Sequence, residues 1–378
     1  QKSSLLPTPH GKQRKMGRQR SYAQAQQADQ KGAWLECEES RLRMELASSR
    51  TRQNDDHPEC LDCMNGLARV LHEQGKYAEA ENLLRRVLKT RAAKMGEDVA
   101  KYETQRRLAA TLVAQGQSLE AERLYRQAVQ GLSGMLGNAH VDTLVCQRCL
   151  ASVLHRNGKL QEAELAYKRA YTGFKTRLGL KHSKTLAALE GLAAVLKEAG
   201  KSEDAELLYQ KLTTVLSSVY GESSPETLSA VGHHASVLRD QERLEEAEEL
   251  YRFVLQGLIQ HYGEEDLLSI SCQNKLAAVL QQERKFAESA ELFRKTVKLL
   301  VKQLGVQHAE TRKAMLGLAM VLKEECPLEA AALFQLLEPA RPGSRAQSKA
   351  PRRPNSFAHG QGDLKLDMSA DFRRHVTA

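Results

Sequence analysis

The sequence predicts an all-helical solenoid. Three observations lead there: a self-similar period of 42 residues, apolar side chains at helical spacing within each period, and a composition that suits helices. Of 378 residues, 41% are hydrophobic but only 5% aromatic, which argues against a β-sandwich.

The first helix of each period, helix A, is marked by a dipeptide. Leu67-Ala68, Leu108-Ala109, Leu150-Ala151, Leu192-Ala193, His234-Ala235, Leu276-Ala277 and Leu318-Ala319 recur at steps of 41 and then 42 residues. Four positions after the first member of each comes Leu71, Leu112, Leu154, Leu196, Leu238, Leu280 or Leu322. This spacing places the set on one buried helix face. After Gly75, Gly116, Gly158 or Gly200, helix B carries Ala80, Ala121, Ala163, Ala205 or Ala247, followed by Leu84, Tyr125, Tyr167, Tyr209, Tyr251 and then Phe293. The small alanines let paired helices approach closely, and the larger side chains fill the remaining space. Helix B ends at Gly96, Gly137, Gly179, Gly221, Gly263 or Gly305, read as a left-handed turn. Asn54 stands one repeat earlier and carries the register back to a degenerate helix from Trp34 to Arg50. Pro58-Glu59, Asp142-Thr143, Ser183-Lys184 and Pro225-Glu226 read as starts of the next helix A, since proline is tolerated in a first turn.

Seven helix pairs result over 57–338, at about 57–98, 99–140, 141–182, 183–224, 225–266, 267–308 and 309–338. None can bury its own apolar face, so they must stack. A degenerate helical cap over 21–53 precedes them. A basic tail over 1–20 and a Pro/Ser/Arg-rich tail over 339–378 are expected to be disordered. The net charge of +9 resides in these ends: residues 1–20 hold six basic residues and no acid, and 339–378 hold eight basic and three acidic. The basic balance therefore says little about the repeats themselves. No run of 18 apolar residues suggests a transmembrane segment. An odd count of seven cysteines and the lack of an Asn-X-Ser/Thr sequon point to a reducing, cytoplasmic setting. Gln1 at the start fits a fragment or processed chain.

The order Leu-Ala, Leu, Gly, Ala and aromatic resembles the tetratricopeptide repeat. The segments at 136–144, 178–186, 220–228 and 158–170 are similar to the longer repeats of kinesin light chain and nephrocystin-type proteins. The resemblance spans about three quarters of the chain. It implies a right-handed superhelix with helix A lining a concave groove. It also implies a non-catalytic scaffold or adaptor for protein partners, with kinesin, a microtubule motor complex or the cytoskeleton as associated assemblies. In that family, paired asparagines before the Leu-Ala of helix A contact the backbone of a bound peptide. Here the pairs are Asn65-Gly66, Arg106-Arg107, Arg148-Cys149, Glu190-Gly191, Gly232-His233, Asn274-Lys275 and Leu316-Gly317, so only Asn65 and Asn274 keep one member.

On that placement, the variable columns of helix A give the expected peptide-binding residues: Asn65, Arg69, His72, Arg106, Arg107, Arg148, His155, Arg156, Lys197, His233, Arg239, Asn274 and Lys275. The basic bias of the first three repeats favours an acidic peptide held by charge-assisted hydrogen bonds. The plainer reading is a solvated charged face. Cys60/Cys63 and Cys146/Cys149 have zinc-like spacing but lie two repeats apart, roughly 20 Å if each helix layer adds about 8–10 Å. A small buried side chain explains Cys63, Cys146 and Cys272. His57, His140, His182 and His308 recur near helix starts, a whole repeat apart, so no metal site is expected. No phosphate loop, dinucleotide fingerprint, nucleophile elbow or HExxH occurs, so neither an enzyme nor a cofactor is expected. Two other readings stand beside the adaptor. One is a binder of nucleic acid, acidic membrane or microtubule surface through basic tails containing Lys12, Arg14, Lys15, Arg352 and Arg353, with nucleic acid the weaker expectation. The other is the repeat part of a larger signalling ATPase.

Overall fold

The apolar columns wind into helices that cannot stand alone, and each finds its cover in the next. The computed structural model describes residues 9–52, 54, 56–94, 96–323 and 326–337, with side chains from Gln30 onward. Among these residues there are fifteen helices and no strand: α1 (Pro9–Arg52), α2 (Pro58–Glu73), α3 (Tyr77–Lys94), α4 (Val99–Ala114), α5 (Ser118–Leu136), α6 (Val141–Arg156), α7 (Leu160–Leu178), α8 (Ser183–Glu198), α9 (Ser202–Tyr220), α10 (Pro225–Asp240), α11 (Leu244–Tyr262), α12 (Leu267–Gln282), α13 (Phe286–Leu304), α14 (Ala309–Leu322) and α15 (Pro327–Leu337). The chain divides into two compact units between Glu264 and Glu265. The first unit holds α1–α11 and the second α12–α15. Helix α1 begins at Pro9, earlier than the cap boundary at residue 21 and within the stretch expected to be a disordered tail. The Arg, Gln, Ala and Lys of 18–31 are good helix formers. The tail at 339–378 lies outside the described residues.

In the first unit, every helix packs on its successor from α1 through α8, and then α9 on α10 and α10 on α11. Helices α2, α4, α6 and α8 also approach one another directly, so the A helices form a closely spaced layer. The alanine columns account for that spacing. Ala68, Ala109, Ala151, Ala193 and Ala235 on A helices, and Ala80, Ala121, Ala163, Ala205 and Ala247 on B helices, have no exposed surface. Leu61 and Leu189 are likewise fully buried, each contributing about 1.5–3 kcal/mol. A Cβ at Gly191 would lie 2.4 Å from the Tyr167 ring, so the B-helix ring sits directly on the next A helix.

The turns repeat as strictly as the core. His57, His140 and His182 are N-caps whose Nδ1 accepts the backbone N–H of Glu59, Asp142 and Lys184 at 3.4, 3.3 and 3.1 Å. His308 does the same for α14, and Ser224 and Asp266 serve α10 and α12. Buried Thr143, Thr185 and Thr227 donate to the carbonyls of Gly137, Gly179 and Gly221. Those glycines have φ of 86–92° and ψ of 158–168°. This is an extended conformation with positive φ, essentially confined to glycine, rather than the left-handed turn the sequence suggested. The chain must leave helix B extended to reach the next N-cap. The left-handed turn lies inside each hairpin instead, at Gly75, Gly116, Gly158 and Gly200. In the next two repeats its place is taken by Glu242 and Arg284, both at φ 63°.

A ladder of ion pairs joins successive B helices. Lys76, Lys159, Lys201 and Arg243, each beside a helix B start, reach back to Glu39, Glu122, Glu164 and Glu206. A second row pairs Arg43 with Glu79, Arg85 with Glu120, and Arg126 with Glu162. Because Glu39 belongs to the first row and Arg43 to the second, α1 occupies the place of a B helix from an additional repeat. Burial alone would raise the Glu122 carboxyl, but hydrogen bonds from Lys159, Asn157 and Arg126 outweigh it and hold it down at about 2.

Two measurements test these features. Glu242→Gly should stabilise the chain by about 0.5–1 kcal/mol in urea unfolding, because the left-handed strain on a side chain exceeds the entropy cost of glycine. The folded-state value of Glu122 lies below its ordinary 4.5, so its stabilisation is present above that pH and is lost as pH falls toward 2. Glu122→Gln should lower stability at pH 7 and flatten the acid limb of a stability–pH curve.

Candidate functional site

The columns that face away from the core on the A helices carry the residues the sequence singled out. Asn65, Arg69 and His72 lie on α2, Arg106 and Arg107 on α4, Arg148, His155 and Arg156 on α6, Lys197 on α8, and His233 and Arg239 on α10. Asn274 and Lys275 lie on α12, in the second unit. The expected set is therefore divided, and the first-unit face is the candidate site.

Several of these side chains are engaged within the face. Asn65 Nδ2 donates to Thr104 Oγ1 at 3.0 Å, and His72 Nδ1 lies 3.2 Å from Thr111 Oγ1. Both residues rivet α2 to α4, and burial lowers the His72 pKa. Arg69 pairs with Glu73 at 3.2 Å. Glu103, absent from the expected set, takes up both central arginines: Arg106 Nη2 at 2.6 Å and Arg107 Nε at 3.0 Å. Burial pushes the Glu103 carboxyl up, yet the two guanidiniums outweigh it and hold it below the usual range. His155 meets Glu198 at 2.8 Å. Asp240 receives Lys197 at 3.2 Å and Arg239 at 2.6 Å. His233 leans on the Tyr209 ring, with centroids 5.8 Å apart.

Two cations stand apart. Arg156 donates to the Val113 carbonyl at 3.2 Å and pairs with no carboxylate. Arg148 is partly buried, its Nε is buried without a partner, and it forms no ion pair. The sequence contains the reason. Arg106 and Arg107 have Glu103 three and four positions earlier, where a helix brings side chains together. At those offsets Arg148 has Val145 and Leu144.

The cysteine pairs lie on α2 and α6, none of the seven cysteines is in a disulfide, and burial pushes the Cys146 thiol up to about 12. Among the described residues no cluster of three or more His, Cys, Asp or Glu could hold a metal ion, and no helix is long and apolar enough to cross a membrane.

Family profiles described as Tetratricopeptide repeat match residues 60–98 and, in overlapping segments, 101–300. Among solved structures, a Podosopora anserina kinesin-light-chain-type protein with nearly identical TPR-like repeats is 26% identical over 54% of this chain and 97% of its own, with a TM-score of 0.50. BtubC (BKLC) from P. vanneervenii is 15% identical over 59% and 90% of the two chains, at a TM-score of 0.53. The quorum sensor NprR from B. thuringiensis is 16% identical over 81% and 84%, at 0.55. The last two likenesses concern fold alone. No curated protein matches the chain.

A control variant tests the engagement of Asn65. Asn65→Ala should cost about 1 kcal/mol of stability in urea unfolding, as the loss of a part-buried hydrogen bond requires. An exposed ligand-facing side chain would cost almost nothing.

Proposed function

This chain belongs to the tetratricopeptide repeat family, and we propose that it is a non-catalytic adaptor whose first-unit A-helix face binds an acidic segment of a protein partner. Arg148 carries the reading. It is a guanidinium with a buried, unpartnered Nε and no carboxylate, on the helix beside the one that bears Arg106 and Arg107. The Nε itself is closed to solvent, so a delivered carboxylate would be met by the two Nη groups, which the fold leaves without a carboxylate. The 26% identity to a kinesin-light-chain-type protein supports an adaptor of that class, associated with a motor or the cytoskeleton in the cytoplasm. The same face carries Glu103, Glu190, Glu198 and Asp240, which opposes a polyanion such as nucleic acid.

The test uses the full chain and fluorescein-labelled 12-residue peptides, one bearing a single Glu and one neutral, read by anisotropy. The Glu peptide should bind more tightly, and Arg148→Glu should weaken it by about 10- to 100-fold, corresponding to a charged hydrogen bond of about 1.5–3 kcal/mol. Unchanged affinity with an unchanged melting temperature would remove the reading. Glu103→Gln releases Arg106 and Arg107 and should tighten the same peptide by about threefold to tenfold.

A further inference from the structure

Arg148 has a neighbour of opposite sign that is only weakly engaged. Glu190 occupies the equivalent position on α8, one repeat later, and α6 and α8 approach directly. It is half-buried and forms no ion pair with Arg148. The cation paired with it is His233, whose Nδ1 stands 3.6 Å away, beyond direct hydrogen-bond reach. The following member of the column is Gly232, with no side chain to cover the carboxylate. Burial raises the Glu190 pKa, in keeping with a carboxylate short of partners. On either side the face is neutralised internally. Glu103 holds Arg106 and Arg107, and Asp240 holds Lys197 and Arg239.

We propose that the segment recognised by this face is mixed in charge, with an acidic side chain opposite Arg148 and a Lys or Arg opposite Glu190. The proposal rests on the acidic-segment reading above and adds a second determinant to it. Adjacent helix axes lie about 8–10 Å apart, and a chain in the polyproline II form advances about 3.1 Å per residue and returns every third side chain to the same face, so the two charges are separated by three positions. A wholly acidic segment would place its second carboxylate against Glu190, where like charges repel in a partly desolvated setting. Discrimination therefore has an attractive and a repulsive component.

The experiment compares four labelled 12-residue peptides of otherwise identical Gly/Ser/Ala sequence on the full chain. They carry Glu alone, Glu-x-x-Lys, Lys-x-x-Glu and Glu-x-x-Glu. One of the two mixed orders should bind at least about fivefold more tightly than Glu alone, and Glu-x-x-Glu should gain nothing. Glu190→Gln should abolish the gain from Lys and relieve the handicap of the second Glu, while leaving the Glu-alone affinity within about twofold. Arg148→Gln should weaken every Glu-bearing peptide. A Lys that gives no gain in either order, or a gain that survives Glu190→Gln, overturns the inference. If Glu alone still depends on Arg148 in that outcome, the acidic-segment reading stands. If no Glu-bearing peptide binds, both fall.

Discussion

Close approach of neighbouring hairpins at the alanine columns is the constraint on which the remaining features depend. A single pair of helices leaves one apolar side open, and it is covered only when the next pair packs against it. Glycines on A helices show how near the pairs come. A Cβ at Gly191 or Gly317 would lie 2.4 or 2.6 Å from the ring of Tyr167 or Phe293 on the preceding hairpin. A fixed hairpin spacing then brings equivalent positions of successive A helices side by side. Asn65 meets Thr104, His72 meets Thr111 and Lys197 meets Asp240 across that spacing.

The two faces of the first unit handle charge differently. On the B side, long Arg and Lys side chains cross to glutamates in rows that repeat with the hairpins. Most of these pairs are exposed and worth little individually. Glu39, Glu122 and Glu206 are the exceptions, with side chains only 9, 8 and 14% exposed, so each is a carboxylate that depends on its cations. On the A side the partners are irregular. Carboxylates occur at helical offsets from some arginines and not others, and this irregularity leaves Arg148 without a carboxylate and Glu190 with only His233, at 3.6 Å, while Arg106, Arg107, Lys197 and Arg239 are engaged.

The turns separate two uses of positive φ that look alike in a sequence. The hairpin turn needs a left-handed residue, which Glu242 and Arg284 can supply at some strain. The inter-repeat turn needs positive φ with an extended ψ, and there glycine recurs through Gly305. The buried threonines that donate to three of those glycine carbonyls hold the turn in place.

The helices, their pairing, the alanine and leucine columns and the resemblance to the family were all legible in the sequence, because each depends on periodicity along one helix and on side-chain volume. The capture of Arg106 and Arg107 by Glu103 was legible too, since the offsets of three and four residues are local. Other features were decided only in three dimensions. They include the division at Glu264, the use of Asn65 and His72 as rivets, the double ladder that makes α1 a B helix, and the isolation of Arg148 beside Glu190. The rivets and the ladder turn on which side chains from repeats about 40 residues apart come within hydrogen-bond reach, and that distance is set by how closely the hairpins pack.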